Sequence, residues 1–292
     1  MAAMQPIKVL LQTTIQATEN DWSIARFGRL ARLLREQRAP GGAPVFEVTA
    51  RDRSVAGTPD PVLSRLDAGN FDELWLFAVD VGDGLTSEDC QGISRFLESG
   101  RGLMVTRDHM DLGSSVCGLA GIGKAHHFHT KNVDPDPTHQ TIDDRATTYI
   151  SWPNYHSGAN GDYQQIRICG STHPVLVETQ SPTGAIRYLP SHPHEGSVSA
   201  PAGDSARVIA TGISKTTARE FPLAVAFEAT ASHGRAIAQS TFHHFADYNW
   251  ETSSGAPTFV DEPPGSAMRT EPQALRDTHR YAINVALWLA HA

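Results

Sequence analysis

Residues Glu73-Leu74-Trp75-Leu76-Phe77-Ala78-Val79 form a nearly unbroken apolar run with no polar alternation. A strand with one wet face alternates; a strand covered on both faces does not, so this run marks a buried strand of a parallel sheet. Strand and helix signals alternate around it. Residues 7–13 read as a first strand, and Asn20 or Asp21 is placed to cap a helix with Ile24, Phe27, Leu30, Ala31 and Leu34 on one face. Pro40-Gly41-Gly42 stops that helix, 45–49 reads as a second strand, and 59–66 as a short helix. Thr86 opens a helix with Glu88 and Asp89 in its first turn, and 102–106 forms the next strand. This order predicts an α/β fold with a mostly parallel sheet and helices on both faces.

Periodicity fades between residues 121 and 190, where prolines, glycines and short polar residues accumulate. A stretch this long without regular signals is expected to carry function or small local structure. Strand signals return at 207–213, 223–227 and 235–241. Thr270-Glu271-Pro272-Gln273 then reads as a capping box before a final helix that buries Tyr281, Val285, Leu287, Trp288 and Leu289. The expectation is one domain over 1–292, with 121–205 as a loop-rich insertion forming part of the site.

With 40% hydrophobic residues the chain can build a sizeable core. Its 24 basic residues are dispersed among 32 acidic ones, a net charge of −8, which argues against a nucleic-acid or anionic-membrane surface. The apolar stretch within residues 1–15 lacks a basic leader region and is too short to span a bilayer, so it is expected to be strand. The 3 cysteines, Cys90, Cys117 and Cys169, are widely spaced and fit reduced thiols in a cytoplasmic protein.

All 14 histidines lie after residue 108. They concentrate in clusters: Asp108-His109, His126-His127-Phe128-His129, His192-Pro193-His194-Glu195 and His243-His244 followed by Asp247-Tyr248-Asn249-Trp250. Arg107-Asp108-His109 follows a buried parallel strand, where side chains enter the ligand crevice of an open α/β sheet. Imidazole and carboxylate are the ligand types of zinc, iron, nickel and manganese sites, and a glutamate beside such an ion can act as a base. If the strand before His243 continues through Phe242, His243 and His244 point to opposite faces and only one enters the crevice. If 126–129 is extended, His127 and His129 share a side. The loop 152–163 carries Asn154, Tyr155, His156, Asn160 and Asp162 between glycines, suited either to a shaped ligand loop or to a lid or interface. Cys90 and Cys169 read as buried small hydrophobes, and Cys117 as the one thiol near the crevice.

Two stretches carry a family resemblance. Phe71-Asp72-Glu73-Leu74-Trp75-Leu76, Leu85-Thr86-Ser87-Glu88 and Phe96 to Val105 resemble the class I glutamine amidotransferase-like superfamily, especially its ThuA-like (trehalose-utilisation) branch. Gly234-Arg235-Ala236, Ser240-Thr241-Phe242-His243-His244 and the helix ending Asn284-Val285-Ala286-Leu287-Trp288-Leu289 resemble the closing strand and helix of that branch. The resemblance implies a flavodoxin-like sheet with functional loops at the carboxyl edge of the strands. Amidotransferase members place a cysteine nucleophile after the strand corresponding to 102–106. This chain has Thr106-Arg107-Asp108-His109 there, so glutamine hydrolysis is not expected.

These readings converge on a metal-dependent hydrolase or isomerase acting on a polar, sugar-like small molecule. Asp108, His109 and Glu195 are its candidate catalytic groups, and His109, His192, His194, His243 and His244 its candidate ligands for zinc, manganese, iron or nickel. Arg107, Asn154, Tyr155, His156, Asn160, Asp162, Asp247, Tyr248, Asn249 and Trp250 are the candidate substrate contacts. No nucleotide cofactor is indicated, and a homo-oligomer is a weaker expectation. A carbohydrate-binding domain without chemistry and a Cys117-dependent amide hydrolase are the alternatives.

Overall fold

The computed structural model describes residues 5–66, 71–144 and 147–290. Its strands are β1 (Ile7–Gln16), β2 (Phe46–Arg53), β3 (Glu73–Phe77), β4 (Gly102–Thr106), β5 (His126–His127), β6 (Tyr163–Gln165), β7 (Arg167–Ile168), β8 (Tyr188–Pro190), β9 (Ser197–Val198), β10 (Ala206–Ile213), β11 (Glu220–Phe227) and β12 (Ala236–Gln239). The helices are α1 (Gly28–Arg35), α2 (Ser87–Glu98), α3 (Asp247–Trp250), α4 (Ala267–Thr270) and α5 (Pro272–Leu289). Eight strands form one sheet in the order β2-β1-β3-β4-β12-β11-β10-β7. The first five in that order run parallel, and β11, β10 and β7 continue the sheet antiparallel. This is the expected α/β, flavodoxin-like arrangement.

Period-two alternation sorts the core into two layers. Val9, Leu11, Trp75, Phe77, Met104 and Ile237 face α1 and α5, packing on Leu30, Leu34, Tyr281 and Val285. Leu10, Leu74, Leu76, Leu103, Val105 and Ala238 face α2, packing on Ile93 and Phe96. Helix α2 starts as expected: Thr86 and Asp89 satisfy each other's backbone N–H in a capping box.

Four local expectations are corrected. Neither Asn20 nor Asp21 caps α1; the segment opens as a 3-10 turn, and carboxylates from afar take the caps' place, Asp52 accepting from Ile24 N at 2.7 Å and Asp247 from Arg29 N at 2.8 Å. The 59–66 helix is a single 3-10 turn at Leu63–Arg65. The cap of α5 is Glu271, accepting from Gln273 N, rather than Thr270. Strand β12 ends at Gln239, two residues short, and Phe242–His244 is a 3-10 turn with Thr241 accepting from His243 N.

The insertion docks on the sheet's carboxyl edge. Tyr155 and Glu195 form an antiparallel bridge, Gly196 N donates to Ser240 O at 3.1 Å, and β5 pairs with β9. A Cβ on Gly196 would collide with the Arg107 side chain and with Ser240 O at 2.7 Å, so this approach requires glycine.

Glu73 opens β3 fully buried, accepting from Trp75 Nε1 at 2.9 Å. Burial drives its carboxyl well above the ordinary 4.5, and Asp72 pushes the same way. Folded molecules therefore hold a proton that the unfolded chain has released, and stability falls as pH rises from 4.5 toward the folded value. Glu73→Gln keeps the Trp75 acceptor without the titration. Its thermal midpoint should match wild type near pH 4 and exceed it by about 2–4 °C near pH 8, roughly 1 kcal/mol; an equal or lower midpoint at pH 8 contradicts the assignment.

Candidate functional site

Beyond Thr106, strand β4 delivers Asp108 to the carboxyl edge, and the turn after β12 delivers His243 beside it. His192 arrives from the insertion. The Asp108 carboxylate lies 3.3 Å from His192 Nε2 and 3.9 Å from His243 Nε2, and one ligand atom from each of the three falls within 4.8 Å of the others. The imidazoles stack at 3.5 Å between centroids, 11° from parallel. All three residues are buried.

The proton positions follow from one backbone carbonyl. Asn249 Nδ2 donates to Ser191 O at 3.0 Å, which fixes its amide and turns Oδ1 toward His243 Nδ1 at 2.9 Å. The same Nδ2 donates to Asn160 Oδ1 at 2.8 Å, and that oxygen lies 2.9 Å from His192 Nδ1. Amide oxygens only accept, so each imidazole carries its proton on Nδ1 and presents a bare Nε2. Burial holds both rings neutral, His192 down to about 4 and His243 well below its ordinary range. His192 Nε2 has no hydrogen-bond partner. Burial opposes the charge of Asp108, and the His109 imidazole at 3.1 Å nonetheless holds its carboxyl well below the ordinary range. Two lone pairs and a carboxylate thus face one another.

That donor set fits a divalent cation. Two neutral imidazoles and one carboxylate are a common ligand set for catalytic zinc and non-haem iron, and an outer N–H donated to an oxygen is the usual support of such ligands. Thr241 Oγ1 donates to Asp108 Oδ1 at 3.3 Å, and His109 Nδ1 lies 3.1 Å from Oδ2. The His109 side chain is 19% exposed and forms part of the rim. Met110 takes the left-handed φ of 50°, held by its N–H on Pro153 O and by Arg107 on its carbonyl.

The remaining candidates divide by what they touch. Glu195 and His244 form a second buried network: the Glu195 carboxylate accepts from Ser157 (2.5 Å), Gln164 and Ser240 (2.8 Å), with His244 Nε2 at 3.3 Å. With four partners it is a structural hub rather than a free base. His194 lies outside the trio; its ring is 5.7 Å from that of His192, and its Nε2 is 3.0 Å from Glu262 Oε1. The hydrogen bond from His194, working against burial, pulls the Glu262 carboxyl down to about 2. Asn160 and Asn249 hold the histidines instead of meeting solvent. Arg107 is fully buried over the Phe128 ring and donates to the carbonyls of Asp108, Met110, His127 and Ser197. Burial lowers it to about 9, and no face of it is left for substrate.

Asn154 braces its own loop through Asp143 N and Ile150 O. Tyr155 stacks on Phe221, His156 Nδ1 sits 3.3 Å from Pro193 O, and Asp162 accepts from Ala267 N. Asp247 supports α1, Tyr248 packs in the core, and Trp250 donates to His244 O. His127 bonds Asn132 O and Ser199, while His129 faces Trp152 O, so the two do not form a site. Cys90 is buried and Cys169 half-buried. Burial raises the Cys117 thiol despite Arg107 and Lys131, the reverse of activation. Glu262 and the Trp22 edge on His243 at 4.7 Å were not marked by any local sequence pattern, and Thr241 was marked only as part of the closing-strand resemblance.

No family model and no curated protein sequence matches the chain. Among solved structures, a ThuA-like protein from Parabacteroides merdae is 17% identical, with 98% of this chain and 91% of that one covered at a TM-score of 0.52. A ThuA-like protein from Bacteroides uniformis is 12% identical over 95% and 94% of the two chains, at a TM-score of 0.45.

Asp108→Asn tests the all-acceptor geometry. An amide can donate to His192 Nε2 while still accepting from His109, so the metal-free variant should melt about 2–4 °C higher than wild type. Divalent cations should then cease to raise its midpoint. A destabilised, cation-responsive variant would contradict the proton assignment. The backbone on which this geometry rests has the ThuA-like fold.

Proposed function

We propose that Asp108, His192 and His243 bind one divalent cation at the centre of a hydrolase acting on a polar, sugar-like small molecule. The observation that carries this reading is the convergence of two bare imidazole nitrogens and a carboxylate in a buried pit with no donor among them. Such a set is costly without a cation. The bound ion would supply Lewis acidity and a water acidified toward neutral pH.

The chain's own groups do the rest. Asp108 brings the single formal charge, and Thr241 and His109 orient its two oxygens. His109, at the rim, is placed to hold or pass a proton at the ring nitrogen not turned to Asp108. The Asn160–Asn249 pair keeps both ligand rings in one tautomer. An isomerisation by proton transfer would use the same groups. A thiol-dependent route through Cys117 is disfavoured by its raised pKa and by its position in a cleft with Cys90, Ser94 and Lys124.

Metal titration followed by mass spectrometric metal analysis tests the reading. Wild type should take up one zinc, manganese, iron or nickel per chain. His192→Ala and His243→Ala should each lose about 100-fold or more in affinity, and Asn249→Leu about 10–100-fold, the usual cost of removing an outer support. His244→Ala should retain the ion. Unchanged affinity in His192→Ala would sink the proposal; hydrolysis of neutral glycosides or sugar esters by loaded wild type but not by Asp108→Asn would establish the reaction class.

A further inference from the structure

The pit is closed. Asp108 is 2% exposed, His192 4% and His243 2%, so neither a cation nor a substrate reaches them without movement. The rim contains His109 and, from the far end of the chain, Glu262, whose side chain is 25% exposed. Glu262 belongs to a stretch anchored at both ends. Asn20 and Thr258 exchange two hydrogen bonds of 2.8 Å at its start, and Gly265 N donates to Asn160 O at 2.7 Å at its end. Val260 packs on the core, while Asp261, Pro263 and Pro264 are exposed. Between Val260 and Gly265, the side-chain hydrogen bonds among the described residues are those of Glu262: Oε1 accepts from His194 Nε2 at 3.0 Å and from Thr147 Oγ1 at 3.4 Å. One carboxylate oxygen therefore ties the 261–264 stretch to the wall of the pit and to the neighbouring loop that carries Thr147.

We infer that Glu262 is a latch, its carboxylate shared between His194 and Thr147, that holds residues 261–264 as a flap closed over the Asp108–His192–His243 pit. The inference rests on that pit being the reaction centre. Two hydrogen bonds to Asn20 at one end, a backbone bond to Asn160 at the other and, among the described residues, one carboxylate oxygen in the middle are what a short lid needs: a fixed hinge at either side and one group to release. Two prolines stiffen the flap so that it moves as a unit.

The test is hydrogen–deuterium exchange by mass spectrometry on the metal-free full chain, with stopped-flow cobalt(II) uptake as a second readout. Glu262→Ala should raise exchange in peptides covering 147–153 and 259–269 about tenfold, a local opening rather than global unfolding, and should speed cobalt uptake. Glu262→Gln keeps an acceptor oxygen for both partners and should stay within about threefold of wild type. Thr147→Val, which leaves the His194 contact, should fall between them and serves if Glu262→Ala does not fold. Wild-type exchange in folded Glu262→Ala or, where that variant does not fold, in Thr147→Val overturns the latch. Failure of any protein to bind cobalt would instead count against the metal centre, while the exchange data still decide the latch.

Discussion

One carbonyl oxygen, that of Ser191, sets the chemistry of the site. By accepting from Asn249 Nδ2 it orients that amide, which orients Asn160, and the two amide oxygens together draw the Nδ1 protons of His243 and His192 outward. Histidine tautomers are usually assigned from their surroundings, and here the chain of assignments ends on a backbone group that cannot be reversed. The consequence lies on the inner side of both rings, where nitrogen lone pairs are left facing a carboxylate. Outer hydrogen bonds of this kind commonly orient and strengthen metal-binding imidazoles.

The two buried polar networks of the carboxyl edge differ in a way that separates structure from function. Both oxygens of the Glu195 carboxylate meet donors, and His244 is linked through Gln239 to the Tyr281 hydroxyl on α5. A carboxylate satisfied in this way ties the insertion to the sheet and the last helix, and favours one packing. Around Asp108 the count is reversed, with acceptors in excess and His192 Nε2 unpartnered. Local energetic inconsistency inside a well-satisfied frame is where a functional site is expected. The frame offsets the cost: Arg107, buried beneath, joins the carbonyls of the three segments that meet there.

Much of the fold was legible because it is written in local periodicity. The 102–106 strand was read at its observed bounds, and the 73–79 run identified the sheet's buried interior. Errors arose where distant groups replaced local ones. Asn20 and Asp21 are good caps in sequence, but Asp52 and Asp247 sit closer to the N–H groups in space. The same limit applied to the site. His192, His243 and Asp108 were all marked by type, yet their convergence depends on the docking of the insertion, which no spacing encodes. Opposite faces were expected for His243 and His244 if the strand ran on through Phe242; it ends at Gln239, and in the observed turn both side chains are buried, one in each network. Glu262 had no signal, since its partner His194 lies 68 residues away.

Position explains why those three segments meet. Strand β12 lies beside β4 in parallel register, Ala238 opposite Val105, so both chains leave the sheet side by side at its carboxyl edge. The sheet changes direction at the next pair, β12 with β11, and the chain entering there leaves room for the insertion to lay His192 across the gap. A crevice at such a switch brings together residues with no proximity in sequence, and a parallel sheet holds their backbones rigidly enough for two imidazoles to stack at 3.5 Å. Rigidity at the base then requires that access come from above, where the partly exposed His109 and Glu262 both lie on loops. The buried trio and its polar rim are therefore two consequences of one arrangement: side chains set just beyond strand ends below, and loops above.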